Sequence, residues 1–328
     1  MVVRSLLVTA LCVGHAECAL GNATIAAPQH PDRQHTETVA DPAWKTAAIA
    51  ALVRRADADS LAAAAALAFG GDAQHPSALE LAMRASELAP GNAALGWVQV
   101  RLCANTAGCD IRDAATAMRW LDPENAAAWL PTLSAALRDK DAVEVDRVLA
   151  DMAQGERFDI YWNRIAVTLF DALKGVAKSL PRGAVNSDSA RLGLVVGLVT
   201  AEFVPGFAPL LEACHESLPG TERRESCQKI AKNMQQGDTI VAEIAGLNIE
   251  KRFVASDGRE FRALSERRRV LDWRVASADL FDAPMLPWLK EAHARWRLAR
   301  MRSLRRDEDV LLAILREQGL PVDPPEVK

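Results

Sequence analysis

An all-α chain, built as a stack of antiparallel helical hairpins (an α-solenoid) with a C-terminal all-helical region after it, is what this sequence predicts. Three observations carry that expectation. The stretch Leu88-Ala89-Pro90-Gly91-Asn92-Ala93 is echoed by Leu121-Asp122-Pro123-Glu124-Asn125-Ala126 at a spacing of 33 residues. Around these two joints, helical segments of about three turns alternate with short turns, a typical helix length. The first two segments, 41–55 and 60–69, are rich in alanine, which favours helix and lets backbones approach closely.

Each joint has a physical logic. Pro90 and Pro123 lack the backbone donor that a continuing helix needs, and they push the preceding residue out of the α region, so a helix stops there. Asn92 and Asn125 then stand where an N-cap side chain satisfies the free N–H groups of the next turn. Connections this short force neighbouring helices into antiparallel packing, and repetition of the unit lets each hairpin bury its apolar face on the next.

On these residues the chain resembles the tetratricopeptide repeat family over about 58–174. Ala78 and Ala85 fall where that family places small helix-packing residues, and Trp129 falls where it favours a large aromatic early in the first helix. Trp162 follows Trp129 by another 33 residues. The chain departs from the pattern where Gly155-Glu156 replaces the proline, where Trp97 stands one residue out of register, and where Leu130-Pro131-Thr132-Leu133 replaces the expected Leu-Gly pair. The resemblance implies a concave surface that binds a protein or peptide.

The beginning of the chain reads as an export signal over 1–21. Arg4 supplies a positive charge, Ser5 to Val13 a short apolar run, and small residues near Cys18 and Gly21 a cleavage site. A buried first helix is the competing reading. Residues 22–41, with Pro28, Pro31, His30 and His35, read as a flexible linker whose two histidines lack a third ligand, so no metal is assigned to them.

Removing the signal leaves Cys103, Cys109, Cys214 and Cys227. Four cysteines allow three pairings, and the two local ones are favoured because each pair flanks a turn between predicted helices. Near their turn, antiparallel helices bring facing positions within disulfide reach. Spacings of five and twelve intervening residues are wrong for zinc, which leaves buried free thiols as the alternative. Loop-closure entropy credits such clips with roughly 2–3 kcal/mol each, and their presence implies an oxidising compartment.

Helices are expected next at about 76–88, 92–103, 110–121, 125–138, 141–153 and 158–174, completing a repeat-like domain over 42–180. Pro181 to Ser189 is the candidate boundary before a second helical domain over 190–320. Within that domain, Leu192 to Leu211 holds a single charge, Glu202, yet Pro205-Gly206 interrupts it too early for a membrane span. A buried helix, a turn and a second helix carrying Cys214 is the expectation. Helices over 222–234 and 237–253, capped by Asp238 or Thr239, lead to a loop at Asp257-Gly258. Those over 260–277, 284–304 and 307–318 follow, the last capped by Asp307 and stopped by Gly319. Residues 321–328 are expected to form a disordered tail.

The net charge of −4 on 328 residues, half of them hydrophobic, is an ordinary balance that argues against a wholly nucleic-acid-directed protein. Charge is nevertheless uneven, with fifteen Lys and Arg against seven Asp and Glu over 251–306. Arg267, Arg268, Arg269, Arg295, Arg297, Arg300 and Arg302 are the candidate partner-binding residues. An anionic membrane surface or an acidic protein suits the basic helix, and nucleic acid is not expected for an exported chain. The bland alternative is a solvated outer face. Trp97, Trp120, Trp129, Trp162, Trp273, Trp288 and Trp296 read as packing residues before groove residues.

No zinc-protease, nucleophile-elbow, phosphate-loop or paired CxxC motif occurs, and no catalytic residue, cofactor or metal site is assigned. The functional expectation is an exported, non-enzymatic module that binds a protein or peptide in the cell envelope. Two rivals are an envelope hydrolase whose acids come from distant helices, and a protein attached to the membrane surface by its basic helix. Convergence of two or more buried acids in one pocket favours the hydrolase.

Overall fold

The computed structural model describes residues 42–70, 76–181, 185–215, 221–279 and 287–325. The signal over 1–21, the linker over 22–41, the turn around Ser217-Leu218-Pro219-Gly220 and the last three residues lie outside them. The described chain is all-helical, with fifteen α-helices and no strand among the described residues.

The first helices follow the punctuation of the sequence. They are α1 (Pro42–Arg55), α2 (Ala58–Ala68), α3 (Ala78–Leu88), α4 (Ala93–Ala104), α5 (Ile111–Leu121), α6 (Leu130–Arg138) and α7 (Ala142–Gln154), each packed on the next. Both joint asparagines are caps: Asn92 Oδ1 accepts from the Ala94 N–H at 3.2 Å and Asn125 Oδ1 from the Ala127 N–H at 3.1 Å. Ser77 and Glu80 form a capping box on α3, while Asp57, Asp110 and Asp141 cap α2, α5 and α7. The helix expected to run from 125 opens instead as a 3₁₀ turn, Ala126–Trp129, and becomes α-helical at Leu130. Pro131, in the first turn of α6, has no partner to miss there.

Beyond α7 the neighbour-on-neighbour run ends. Residues 155–161 form an irregular segment, and α8 (Trp162–Val176) turns back to pack on α1, α2 and α4. Then come α9 (Asp188–Leu198), a π-helical turn (Val199–Phe203), α10 (Ala208–Ala213), α11 (Thr221–Gln235), α12 (Ile240–Lys251), α13 (Arg259–Asp279), α14 (Pro287–Ser303) and α15 (Asp307–Glu317). The break at Pro205-Gly206 falls as expected, and among the described residues no helix is long and apolar enough to cross a membrane. Thr239 caps α12, leaving Asp238 free for another task. Asp307 lies in the first turn of α15 rather than at its cap, with Glu308 and Asp309 beside it, where helix-dipole attraction favours acids. Gly319 ends this helix region with φ +67°.

Helices on both sides of 181–189 share one hydrophobic core. α11 packs on α7, α10 on α6, and the π turn on α4 and α8. Trp97 of α4 is fully buried and its indole N–H donates to the Phe203 carbonyl at 3.0 Å, 106 residues away. Pro321, Val322 and Asp323, assigned by the sequence to the tail, are held by α13: Trp273 donates to the Pro321 carbonyl, and Arg274 to the Val322 carbonyl and the Asp323 carboxylate.

Candidate functional site

The most organised polar region is built on the irregular segment between α7 and α8. Gly155 admits it: a Cβ there would stand 2.9 Å from the Ala126 nitrogen and 3.0 Å from the Glu124 oxygen, so any side chain would force the two backbones apart. The segment lies alongside the second proline joint, with the Glu156 and Arg157 N–H groups donating to the Glu124 carbonyl and the Ala126 N–H to the Arg157 carbonyl. Tyr161 closes it in the left-handed region at φ +59°, unusual for a bulky residue and costing about 1 kcal/mol or more.

Asn125 makes three further contacts besides its cap. It accepts from the Asp159 N–H, and its amide donates to the Asp159 carbonyl and the Tyr161 hydroxyl, at 2.9–3.0 Å. The Tyr161 hydroxyl in turn donates to Asp122, which also binds Arg157. Burial first, and then the Asp122 carboxylate, push the Tyr161 pKa upward, so the phenol keeps its proton and remains a donor.

Asp238 arrives from the loop between α11 and α12. Its two carboxylate oxygens accept from the Ile160 N–H at 2.9 Å and the Trp162 N–H at 3.0 Å. The carboxylate thereby supplies the start of α8 with a cap that Tyr161 does not provide. Burial first, then the charge of Asp159, push the Asp238 pKa up to about 7 against the pull of the two N–H bonds and Arg305. Asp159 is also raised by burial, with Arg305 and Arg157 opposing.

A third loop, between α14 and α15, completes the region. Arg305 donates to Asp159 and to the Gln236 carbonyl, the Asn163 amide donates to the Leu304 and Arg305 carbonyls, and the Asp307 N–H donates to the Asp238 carbonyl. Arg306 reaches the Gln235 and Gly237 carbonyls and both Glu243 and Glu308. Arg267 and Arg274 close the cluster on Glu308, Arg267 binding Glu243 as well. Burial raises Glu243, helped by the Glu308 charge, whereas at Glu308 burial is outweighed by Arg267, Arg306 and Arg274 and the pKa is lowered. Burial brings Asp307 to about 6 against the attraction of Arg297. Acids therefore converge, but each oxygen described here faces an arginine, a tyrosine or a backbone amide.

The predicted cysteine pairs stand at disulfide distance. Cα separations are 5.4 Å for Cys103 and Cys109, at the turn from α4 to α5, and 5.6 Å for Cys214 and Cys227, between α10 and α11. Both are compatible with an oxidising extracellular compartment.

Each of the predicted arginines has an acidic neighbour in the chain. Arg267 belongs to the buried cluster just described. Arg268 pairs with Asp272 and Arg269 with Glu266 on their own helix, Arg295 lies 3.5 Å from Asp188, and Arg302 pairs with Asp171. Arg300 stacks over Trp296 and lies 3.6 Å from Glu317, and Arg297 faces Asp307. Local charge counting saw the cations, but most of their acidic partners lie far away in sequence.

The tryptophans divide similarly. Trp97 and Trp162 are buried, and the Trp129 ring has the guanidinium groups of Arg119, 4.3 Å from its centroid, and Arg147, at 5.8 Å, against it. Trp120 on α5 is 84% exposed, with exposed Leu121 beside it. The buried joint was missed because Asp122, Asp159, Tyr161 and Asp238 meet from separate loops. Asn125 was its one sequence signal. The chain matches no protein-family model, no curated protein and no solved structure.

Proposed function

We propose that this chain is an exported, non-enzymatic module of the cell envelope in which a tetratricopeptide-like array over about residues 58–174 holds a protein or peptide partner. The observation that carries this reading is Trp120. A tryptophan left 84% exposed on a helix of a repeat-like array is a large, rigid anchor of the kind that dominates binding energy at protein interfaces. Elsewhere in the array Met83 and Leu88 on α3 and Val143 on α7 are also exposed.

A hydrolase needs an acid whose proton can reach a substrate. Asp159 and Asp238 are adjacent and raised, but their oxygens are engaged by Arg157, Arg305 and the Ile160 and Trp162 amides. That arrangement supports a scaffold role over acid-base chemistry.

The test is affinity capture from an envelope extract with the native protein and with Trp120→Ala, both checked for equal thermal stability. The reading expects one reproducible partner, recovered by the native protein and reduced at least about thirtyfold by the substitution, the roughly 2 kcal/mol that marks a hot-spot residue. Recovery of no reproducible partner, or equal recovery by both proteins, contradicts it.

A further inference from the structure

A second cluster of cations, away from the buried joint, gathers at the turn between α12 and α13. Arg224 of α11 lies 5.5 Å from the Phe253 ring centroid and donates to the Phe253 carbonyl. Lys251 lies 5.5 Å from the Phe261 ring centroid. Arg252 donates to the Leu211 and Cys214 carbonyls, and Arg262 to the Asp257 carbonyl. Arg259 is exposed beside them.

The contrast with α14 is chemical. There, Arg295, Arg300 and Arg302 face carboxylates of the same chain; here the head groups rest on carbonyls and rings, which leave the positive charge in place. Burial first, and then the charge of Arg268, lower the Lys251 pKa, although Asp272 pulls the other way, in keeping with a locally positive field. Residues 251–262 hold four cations, Lys251, Arg252, Arg259 and Arg262, against two acids, Asp257 and Glu260. Phe253, Val254 and Phe261 are half-buried there, Phe253 and Val254 packed against the core, with exposed Arg259 and Arg262 beside them.

From this juxtaposition of Arg224, Lys251, Arg252, Arg259 and Arg262 with Phe253 and Phe261, we infer that the α12–α13 turn docks on an anionic phospholipid surface. A lipid interface offers phosphate charge in a plane and an apolar layer beneath it, which fits a basic turn with aromatic side chains. An acidic protein supplies the charge without that layer. This attachment is independent of the partner surface around Trp120.

The experiment is co-sedimentation of the full chain with phosphatidylcholine vesicles, with and without phosphatidylglycerol at about one lipid in three. Three proteins are compared: native, Arg259→Gln/Arg262→Gln at the turn, and Arg138→Gln/Lys140→Gln at the α6–α7 loop, all with matched melting curves. Binding to the anionic vesicles alone is expected. At roughly fivefold per cation near a charged membrane, the turn variant should bind about 25-fold more weakly and the loop variant like the native protein. Binding should also weaken as salt is raised.

Any of four results would overturn the inference. They are equal binding to neutral vesicles, binding to neither, equal loss in both variants, or displacement by millimolar inorganic phosphate, which would point to an isolated phosphate site. Retention on immobilised polyglutamate without vesicle binding would instead assign the turn to an acidic polypeptide.

Discussion

The joint at Leu88–Ala93 and the joint at Gly155–Tyr161 occupy comparable places, each carrying the chain out of one helix and into the next. They are held in opposite ways. The first is short, stopped by Pro90 and capped by Asn92 two residues before its target N–H. The second is extended, lacks proline, and depends on Asp238 and Arg305, 76 and 146 residues from the groups they hold. A locally held joint lets helices stack in sequence, whereas one held at long range lets α8 return onto α1, α2 and α4.

The largest difference between them should appear when the distant cap is removed. Asp238→Ala leaves two buried backbone donors without partners, at about 1–3 kcal/mol each, so urea unfolding should show a loss of about 2–6 kcal/mol. The matching local deletion, Asn92→Ala at the first proline joint, should cost about 1 kcal/mol. Equal losses would erase the distinction.

The same aspartate gives the long-range joint a pH signature. Its folded pKa of about 7 lies above the unfolded value of 3.8, so this group favours the fold in acid and withdraws that support as pH rises from about 4 to about 7. Asp159 acts in the same direction and Glu308 in the opposite one. Asp238→Asn should therefore flatten the fall in stability between pH 5 and pH 7.5. An unchanged pH slope would exclude Asp238 as its source.

Reduction should cost somewhat less than loss of the cap. Opening Cys214–Cys227 is expected to remove about 3 kcal/mol and Cys103–Cys109 about 2 kcal/mol, following loop length, measured by unfolding of the single-pair serine variants. Glycine separates the joints on a smaller scale. Gly155→Ala drives a Cβ against the Ala126 and Glu124 backbones and should cost about 1–3 kcal/mol, comparable to overpacking. Gly91→Ala meets open space and should stay within about 0.5 kcal/mol of the native protein.

What could be read from the sequence follows the same division. Pro90, Pro123, Asn92 and Asn125 announced helix ends and caps because their effects act within a few residues. The cysteine pairs were legible for the same reason, each closing a turn of its own. Asp238 looked like a candidate cap for α12, yet it serves α8, which no local pattern records. The arginines of α13 and α14 read as a local basic excess because Asp171, Asp188, Glu243 and Glu308 come from other parts of the chain. Trp120 reads as a packing tryptophan like the others, since helical spacing alone does not separate a bare face from a covered one.

The most direct measurement is native-state hydrogen exchange at the Ile160 and Trp162 amides. If the Asp238 carboxylate fixes the start of α8, both should exchange as slowly as core amides near Trp97, and Asp238→Ala should speed them by at least about a hundredfold, the consequence of losing a few kcal/mol of local protection. Exchange in the native protein as fast as at Ala255 and Ser256, in the exposed turn between α12 and α13, would contradict a joint held from a distance.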